Sequence, residues 1–150
     1  MSQSISNRTN NQAFITTDTS KIFLRDKRFE QGTFDYTNST YDDVTIAAGT
    51  VLGRIASTNK LVVLTSAASD GSQFPVGILA QDVTVEAGDS HSDTVNMCVA
   101  GDVAQEKLVF QGSDDLETVV SSRTLKDRIG ADTVGVKLVS CTELTEYDNL

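Results

Sequence analysis

Between Val44 and Phe110 the chain is cut into short runs of β-branched and apolar residues, each closed by turn residues after a few positions. This spacing constrains the fold more than any other feature, because only strands bury apolar surface in pieces so short. Val44-Thr45-Ile46 runs into Ala48-Gly49, and Val51-Leu52-Gly53-Arg54-Ile55-Ala56 and Leu61-Val62-Val63-Leu64 flank Ser57-Thr58-Asn59-Lys60, which predicts a hairpin. A small-residue loop with a turn at Asp70-Gly71 leads to Pro75, where a missing N–H costs least at the entry of a strand. Val76-Gly77-Ile78-Leu79-Ala80 reads as a buried strand, and Val83-Thr84-Val85-Glu86 alternates before the turn at Ala87-Gly88-Asp89. Val95, Met97 and Val99 keep a period of two, Gly101 is expected to break it, and a further strand is expected from Val103 to Phe110.

The stretch from Asp114 to Ile129 has a different pattern. Asp114 and Asp115 suit a helix N-terminus, Leu116, Val119 and Val120 share a face, Lys126 and Arg128 suit the last turn, and Gly130 suits the left-handed closing position. One helix is predicted there, with a break near Ser121-Ser122, followed by a last strand from Val134 to Ser140. The fold class is therefore mainly β with one short helix, a small β-barrel or β-sandwich.

Eleven of the first twenty residues are Ser, Thr or Asn, too polar to bury a core. Residues 1–40 carry five basic residues against four acidic ones, whereas the other 110 carry seven against seventeen. The chain is thus divided into a flexible N-terminal arm over 1–40, a β-rich domain over 41–141 and an acidic tail over 142–150. Apolar clusters in the arm, Phe14-Ile15 and Ile22-Phe23-Leu24, with Phe29, Phe34 and Tyr36 beyond them, suggest an extended segment that adds a strand to a partner. On this reading a chain starting at Asp42 folds normally without the arm.

A net charge of −9 and a pI near 4.4 argue against nucleic acid, whose binders depend on Lys and Arg to neutralise phosphates. No apolar run is long enough for a membrane span and no secretory leader is seen, so a soluble protein made in a cytoplasm is expected. Cys98 and Cys141 lack the close spacing of metal or redox pairs and are read as free thiols. His91, the single histidine, lies in Gly88-Asp89-Ser90-His91-Ser92-Asp93; neighbours in sequence do not make a triad, and a solvated loop histidine is expected. Neither phosphate-binding glycine loop occurs, and the acidic residues have no calcium-loop spacing. No catalytic residue, metal site or cofactor is expected, and the sequons at Asn7 and Asn38 are read as chance.

Ala48-Gly49-Thr50-Val51-Leu52, Asn59-Lys60-Leu61-Val62, the Gly/Ser loop entering Pro75-Val76-Gly77-Ile78-Leu79-Ala80, and Lys126 to Val139 together resemble the phage head decoration protein family of the lambda D type. The resemblance runs from Ile46 to Ser140, and the chain is longer than the lambda protein at both ends. It implies a homotrimer, not an enzyme, that binds the major capsid protein at three-fold or quasi-three-fold sites on the outside of an expanded phage head made in a bacterial cytoplasm. The arm would then order on the shell, with Phe14, Ile15, Ile22, Phe23, Leu24, Arg25, Lys27 and Arg28 as the candidate capsid-binding residues. The competing class is a receptor- or glycan-binding β module of a phage tail or fibre. The absence of Trp and the few aromatics of the body, Tyr41, Phe74, Phe110 and Tyr147, speak against it.

Overall fold

The computed structural model describes residues 22–140. Its strands are β1 (Phe23–Thr37), β2 (Val44–Ile46), β3 (Val51–Arg54), β4 (Leu61–Val63), β5 (Pro75–Leu79), β6 (Val83–Val85), β7 (Ser90–Ala104), β8 (Val119–Val120), β9 (Arg123–Thr124) and β10 (Gly135–Val139), with one helix, α1 (Leu125–Asp132). The main sheet runs β1-β4-β3-β5-β7-β10, and β1 also pairs with β7, so the first five of these strands close into a small barrel. Parallel to β7 and outside the ring, β10 takes over its edge from Ala100 to Ala104. The barrel and the single short helix are the fold class that the spacing of apolar runs predicts.

Period-two alternation divides the buried residues into two cores. Val51, Ile78, Cys98 and Val103 point to one face, where Leu125 and Ile129 of α1, Val136 of β10 and Phe23 cover them. Leu52, Leu79, Met97 and Val99 point to the other, together with Phe34, Leu61, Val83 and Val85. With both faces buried, β3 and β5 are near-continuous apolar runs, which explains why Val76-Gly77-Ile78-Leu79-Ala80 reads so plainly as buried.

Three expectations need correction, besides the strand expected from Val103 to Phe110, of which only Val103 and Ala104 lie in a strand before the 3-10 turn Gln105–Lys107. The segment assigned to a free arm is, from Phe23 to Thr37, a strand of the domain: β1 pairs antiparallel with β7 along nearly its whole length, and Phe23 and Phe34 are fully buried. A polar composition suits an edge strand as well as a loose segment, and the partners of β1 lie too far along the chain for local pattern to reveal. The domain therefore includes β1 and does not begin at Tyr41.

The second correction is the helix. Ser121 and Ser122 have φ of 48° and 71° and turn β8 into β9, so α1 starts only at Leu125. Thr124 caps it by accepting from the Asp127 N–H, and Thr133 closes it by donating its hydroxyl to the Ile129 carbonyl and accepting from the Val136 N–H. Asp114 and Asp115 cap turns instead: Asp114 accepts from the Ser66 N–H and hydroxyl, and Asp115 from the Glu117 N–H. Gly130 lies inside α1.

Third, Gly101 does not end a strand. It lies within β7 at φ +115°, a conformation L side chains rarely adopt, and a Cβ there would stand 2.7 Å from Lys27 Cα and 2.8 Å from the Arg25 and Asp26 carbonyl oxygens. The bare backbone lets β1 cross β7 at close range. Gly101→Ala is expected to cost roughly 3 kcal/mol or more, as strain and clash act together. Chemical denaturation would show this as a lower midpoint with an unchanged slope, and an unshifted midpoint would contradict the close crossing.

Candidate functional site

The first half of β1 is the most unusual surface of the domain. From Leu24 to Gln31 every residue is exposed although the strand is paired; β7 occupies one edge, and among the described residues the other edge meets only β4, through Phe34 and Leu61. The pairing with β7 shifts register three times between Phe23 and Phe29, and Asp26 has φ +54°. Bulges of this kind twist an edge and re-aim its side chains, and together with charge they discourage indiscriminate strand pairing.

Three cations, Arg25, Lys27 and Arg28, stand on this bulged edge. Arg25 lies 3.4 Å from Asp102 and Arg28 3.3 Å from Glu30, while Lys27 makes no ion pair among the described residues. The arginine contacts are solvent-exposed and weak, so both side chains remain available to a partner. Phe29 sets its ring edge-on to the buried Phe23, with centroids 5.4 Å apart, and, like Leu24, is itself exposed.

The structure thus brings together Leu24, Arg25, Lys27 and Arg28 of the expected contact residues. Phe23 is removed from that set, since its side chain belongs to the core. Ile22 is half-buried against the same core, and Phe14 and Ile15 lie outside the described residues.

Under this edge lies Cys98, fully buried, with Sγ donating to the Ala100 carbonyl at 3.1 Å. Burial raises the thiol pKa above its usual value; the Ala100 and Arg28 backbone hydrogen bonds and the charge of Lys27 oppose it. A raised pKa means that the folded state holds its proton longer than the unfolded chain. This contribution to stability is complete below the ordinary thiol pKa and is lost as pH rises towards the folded value. In a Cys141→Ser chain, a thiol reagent should leave Cys98 untouched in the native protein and modify it fully in denaturant; rapid native labelling would contradict its burial. Cys141 lies outside the described residues.

His91 is a correction of place: it sits in β7, not in a loop. Its Nδ1 lies 3.1 Å from the Phe34 carbonyl oxygen and its ring packs at 5.8 Å from that of Phe34. Beside it Ser92 donates to Asp35 at 2.5 Å and Lys60 lies 3.0 Å from the same carboxylate. The serine hydrogen bond, aided by the lysine, holds the Asp35 pKa below the usual carboxylate value. That increment of stability is present above the ordinary carboxylate pKa and disappears as pH falls through the lowered one. Ser92 is engaged by Asp35 and not by His91, so the sequence neighbours form a cross-strand clasp and not a nucleophile with its base.

Asn38 stands out in the sequence only as a sequon. It is almost wholly buried, donates to the carbonyls of Asp42, Val85 and Glu86, and accepts from the N–H and hydroxyl of Thr40. It pins the end of β1 to β6. The Asn-x-Thr spacing, which favours a local turn, was the available signal. With its amide nitrogen so engaged, Asn38 is a structural fastener and not a glycan acceptor.

The deciding comparison is with protein families. The family model for the bacteriophage lambda head decoration protein D matches residues 31–124. This chain belongs to the phage head decoration protein family. No curated protein matches it at a significant level. The matched span takes in the barrel from Gln31 in β1 through β9, so it covers most of the resemblance visible in the sequence but not Lys126 to Val139. Membership makes the chain a structural protein of the phage virion, associated with the capsid. The cationic stretch Leu24–Arg28 precedes the matched span.

Proposed function

We propose that this decoration protein is a cement for the expanded phage head, seated on its outer surface as a homotrimer at three-fold and quasi-three-fold positions. The observation that carries the reading is the family match across the barrel. A closed trimer fits the symmetry of such sites. The partner is the major capsid protein; a net charge of −9 disfavours nucleic acid, and no described helix is long and apolar enough to cross a membrane.

The contact is made by the N-terminal segment. Its outermost apolar pair, Phe14-Ile15, and the exposed edge residues Leu24, Arg25, Lys27 and Arg28 of β1 meet an edge and an acidic surface of the capsid protein. Main-chain hydrogen bonds supply affinity and alternate side chains supply specificity. The second edge of β1 supports this reading, since among the described residues no strand pairs with it beside the three cations.

Co-sedimentation with purified expanded and unexpanded heads tests the proposal. The protein should pellet with expanded heads, saturate at a fixed copy number and raise the temperature at which they rupture. Failure to pellet with expanded heads, or no gain in their heat resistance, would overturn it.

A further inference from the structure

The loop between β4 and β5 carries the only Asp-Gly pair of the sequence, Asp70-Gly71, and there is no Asn-Gly pair. In a flexible chain this dipeptide is chemically labile. The glycine nitrogen attacks the side-chain carboxyl carbon of the aspartate, the N–H proton leaves with a carboxyl oxygen as water, and a cyclic succinimide forms. Water then opens the ring at either carbonyl. One opening restores Asp, and the other gives isoaspartate, whose main chain runs through the former side chain.

The fold requires both residues. Gly71 has φ of +105°, and a Cβ there would stand 2.8 Å from the Arg54 carbonyl oxygen and 3.2 Å from the Ala56 nitrogen. Asp70 makes the turn, since its Oδ1 accepts from the Ser72 N–H at 3.0 Å and from the Ser72 hydroxyl at 2.6 Å. The labile pair is therefore imposed by the loop. Asp70 is exposed, so burial does not shield it.

Hydrogen bonds take the place of burial. The two Ser72 donors hold the Asp70 carboxylate on the Ser72 nitrogen, one residue beyond the atom that would attack it. The same donors, the hydroxyl first, keep the Asp70 pKa below the usual carboxylate value. An ionised carboxylate resists attack because it has no hydroxyl to leave as water. The Gly71 N–H is engaged elsewhere, donating to Gln73 Oε1 at 2.9 Å. The adjoining peptides are held as well: the Asp70 carbonyl accepts from the Ala56 N–H at 2.8 Å and the Gly71 carbonyl from the Phe74 N–H at 3.2 Å. Ser72 is itself buried, its carbonyl lying over Gly53, where a Cβ would stand 2.1 Å from the oxygen.

We infer that Asp70-Gly71 is a succinimide site that the folded loop holds closed, so that isoaspartate at residue 70 forms only in molecules whose loop has opened. The change is then locked in. Isoaspartate lengthens the main chain by one carbon and moves the free carboxylate to Cα, so the pairing with Ser72 and the fit against Arg54 and Ala56 are both lost. Local opening of this loop thus becomes a permanent chemical mark. The inference concerns the protein alone and stands apart from the capsid contact.

The full chain, kept in heavy-oxygen water and then digested, tests it by mass spectrometry of the peptide that contains Asp70. Each passage through the succinimide leaves one heavy oxygen at that residue. Native protein should take up label several-fold more slowly than protein in denaturant. Gln73→Ala and Ser72→Ala should each raise the native rate several-fold and leave the denatured rate unchanged, with circular dichroism showing that each variant is folded. Gln73→Ala, at a part-exposed residue, keeps the test open where Ser72→Ala, at a buried one, loses the fold. Equal rates in native and denatured wild-type protein overturn the inference, and so does a folded Gln73→Ala chain that labels as slowly as wild type.

Discussion

A chain beginning at Asp42 is expected to lose cooperative unfolding, not merely capsid binding. It lacks β1, and with it Phe23 and Phe34, one fully buried in each of the two cores. Removing a buried Phe side chain alone costs about 3–5 kcal/mol, and a domain of this size has roughly 5–15 kcal/mol in total. Deleting both, together with the strand that closes the barrel against β7, takes away most or all of that margin. Phe23→Asp should act in the same direction, because it places an unpaired carboxylate where the core has no partner for it. Circular dichroism melting and amide proton dispersion would show the loss, while a chain beginning at Lys21 should melt like the full protein. A sharp melt from the Asp42 chain would contradict the assignment of β1 to the domain.

Reversing Arg25, Lys27 and Arg28 together to Glu should have the opposite signature, with folding kept and decoration lost. All three side chains are exposed on the bulged edge, so the melting temperature should change little. Exposed ionic contacts contribute about 0.2–1 kcal/mol each, so losing three and adding repulsion weakens binding by roughly 1.5–3 kcal/mol, about ten- to a hundredfold per protomer. A trimer engaged at three points would amplify this. Wild-type binding should also weaken as salt rises, since the contacts are screened over about 10 Å at 0.1 M. Pelleting assays across a salt series would measure both effects. Unchanged binding by the reversed chain would move the contact off this edge.

The strands that can be read from the sequence are those whose signal is local. Val44–Ile46, Val51–Arg54, Leu61–Val63 and Val83–Val85 each carry their own alternation and their own turn, and each is a strand in place. Where the reading failed, the deciding partner was far along the chain. Phe23 is fixed by Val103 and Phe34 by Leu61, and nothing near either residue announces it. Gly101 looks like a break in the sequence because isolated glycines usually are, whereas its role is to let a crossing backbone approach. Asp114 and Asp115 suggest too early a helix because they cap turns with the same chemistry that caps helices. Of the candidate contact residues, the exposure of Arg25, Lys27 and Arg28 is legible from their charge. That Phe23 faces inward is not, because alternation cannot be phased across three bulges.

The proposed seat of this decoration protein on the shell is the N-terminal side of its barrel, three copies to a site. Electron cryo-microscopy of expanded heads decorated with the full chain tests it most directly. The account predicts trimeric density at three-fold and quasi-three-fold positions, with the Leu24–Arg28 edge of each protomer and the chain ahead of it against the major capsid protein. Density for monomers or dimers at two-fold positions, or trimers with that edge turned to solvent, would contradict it.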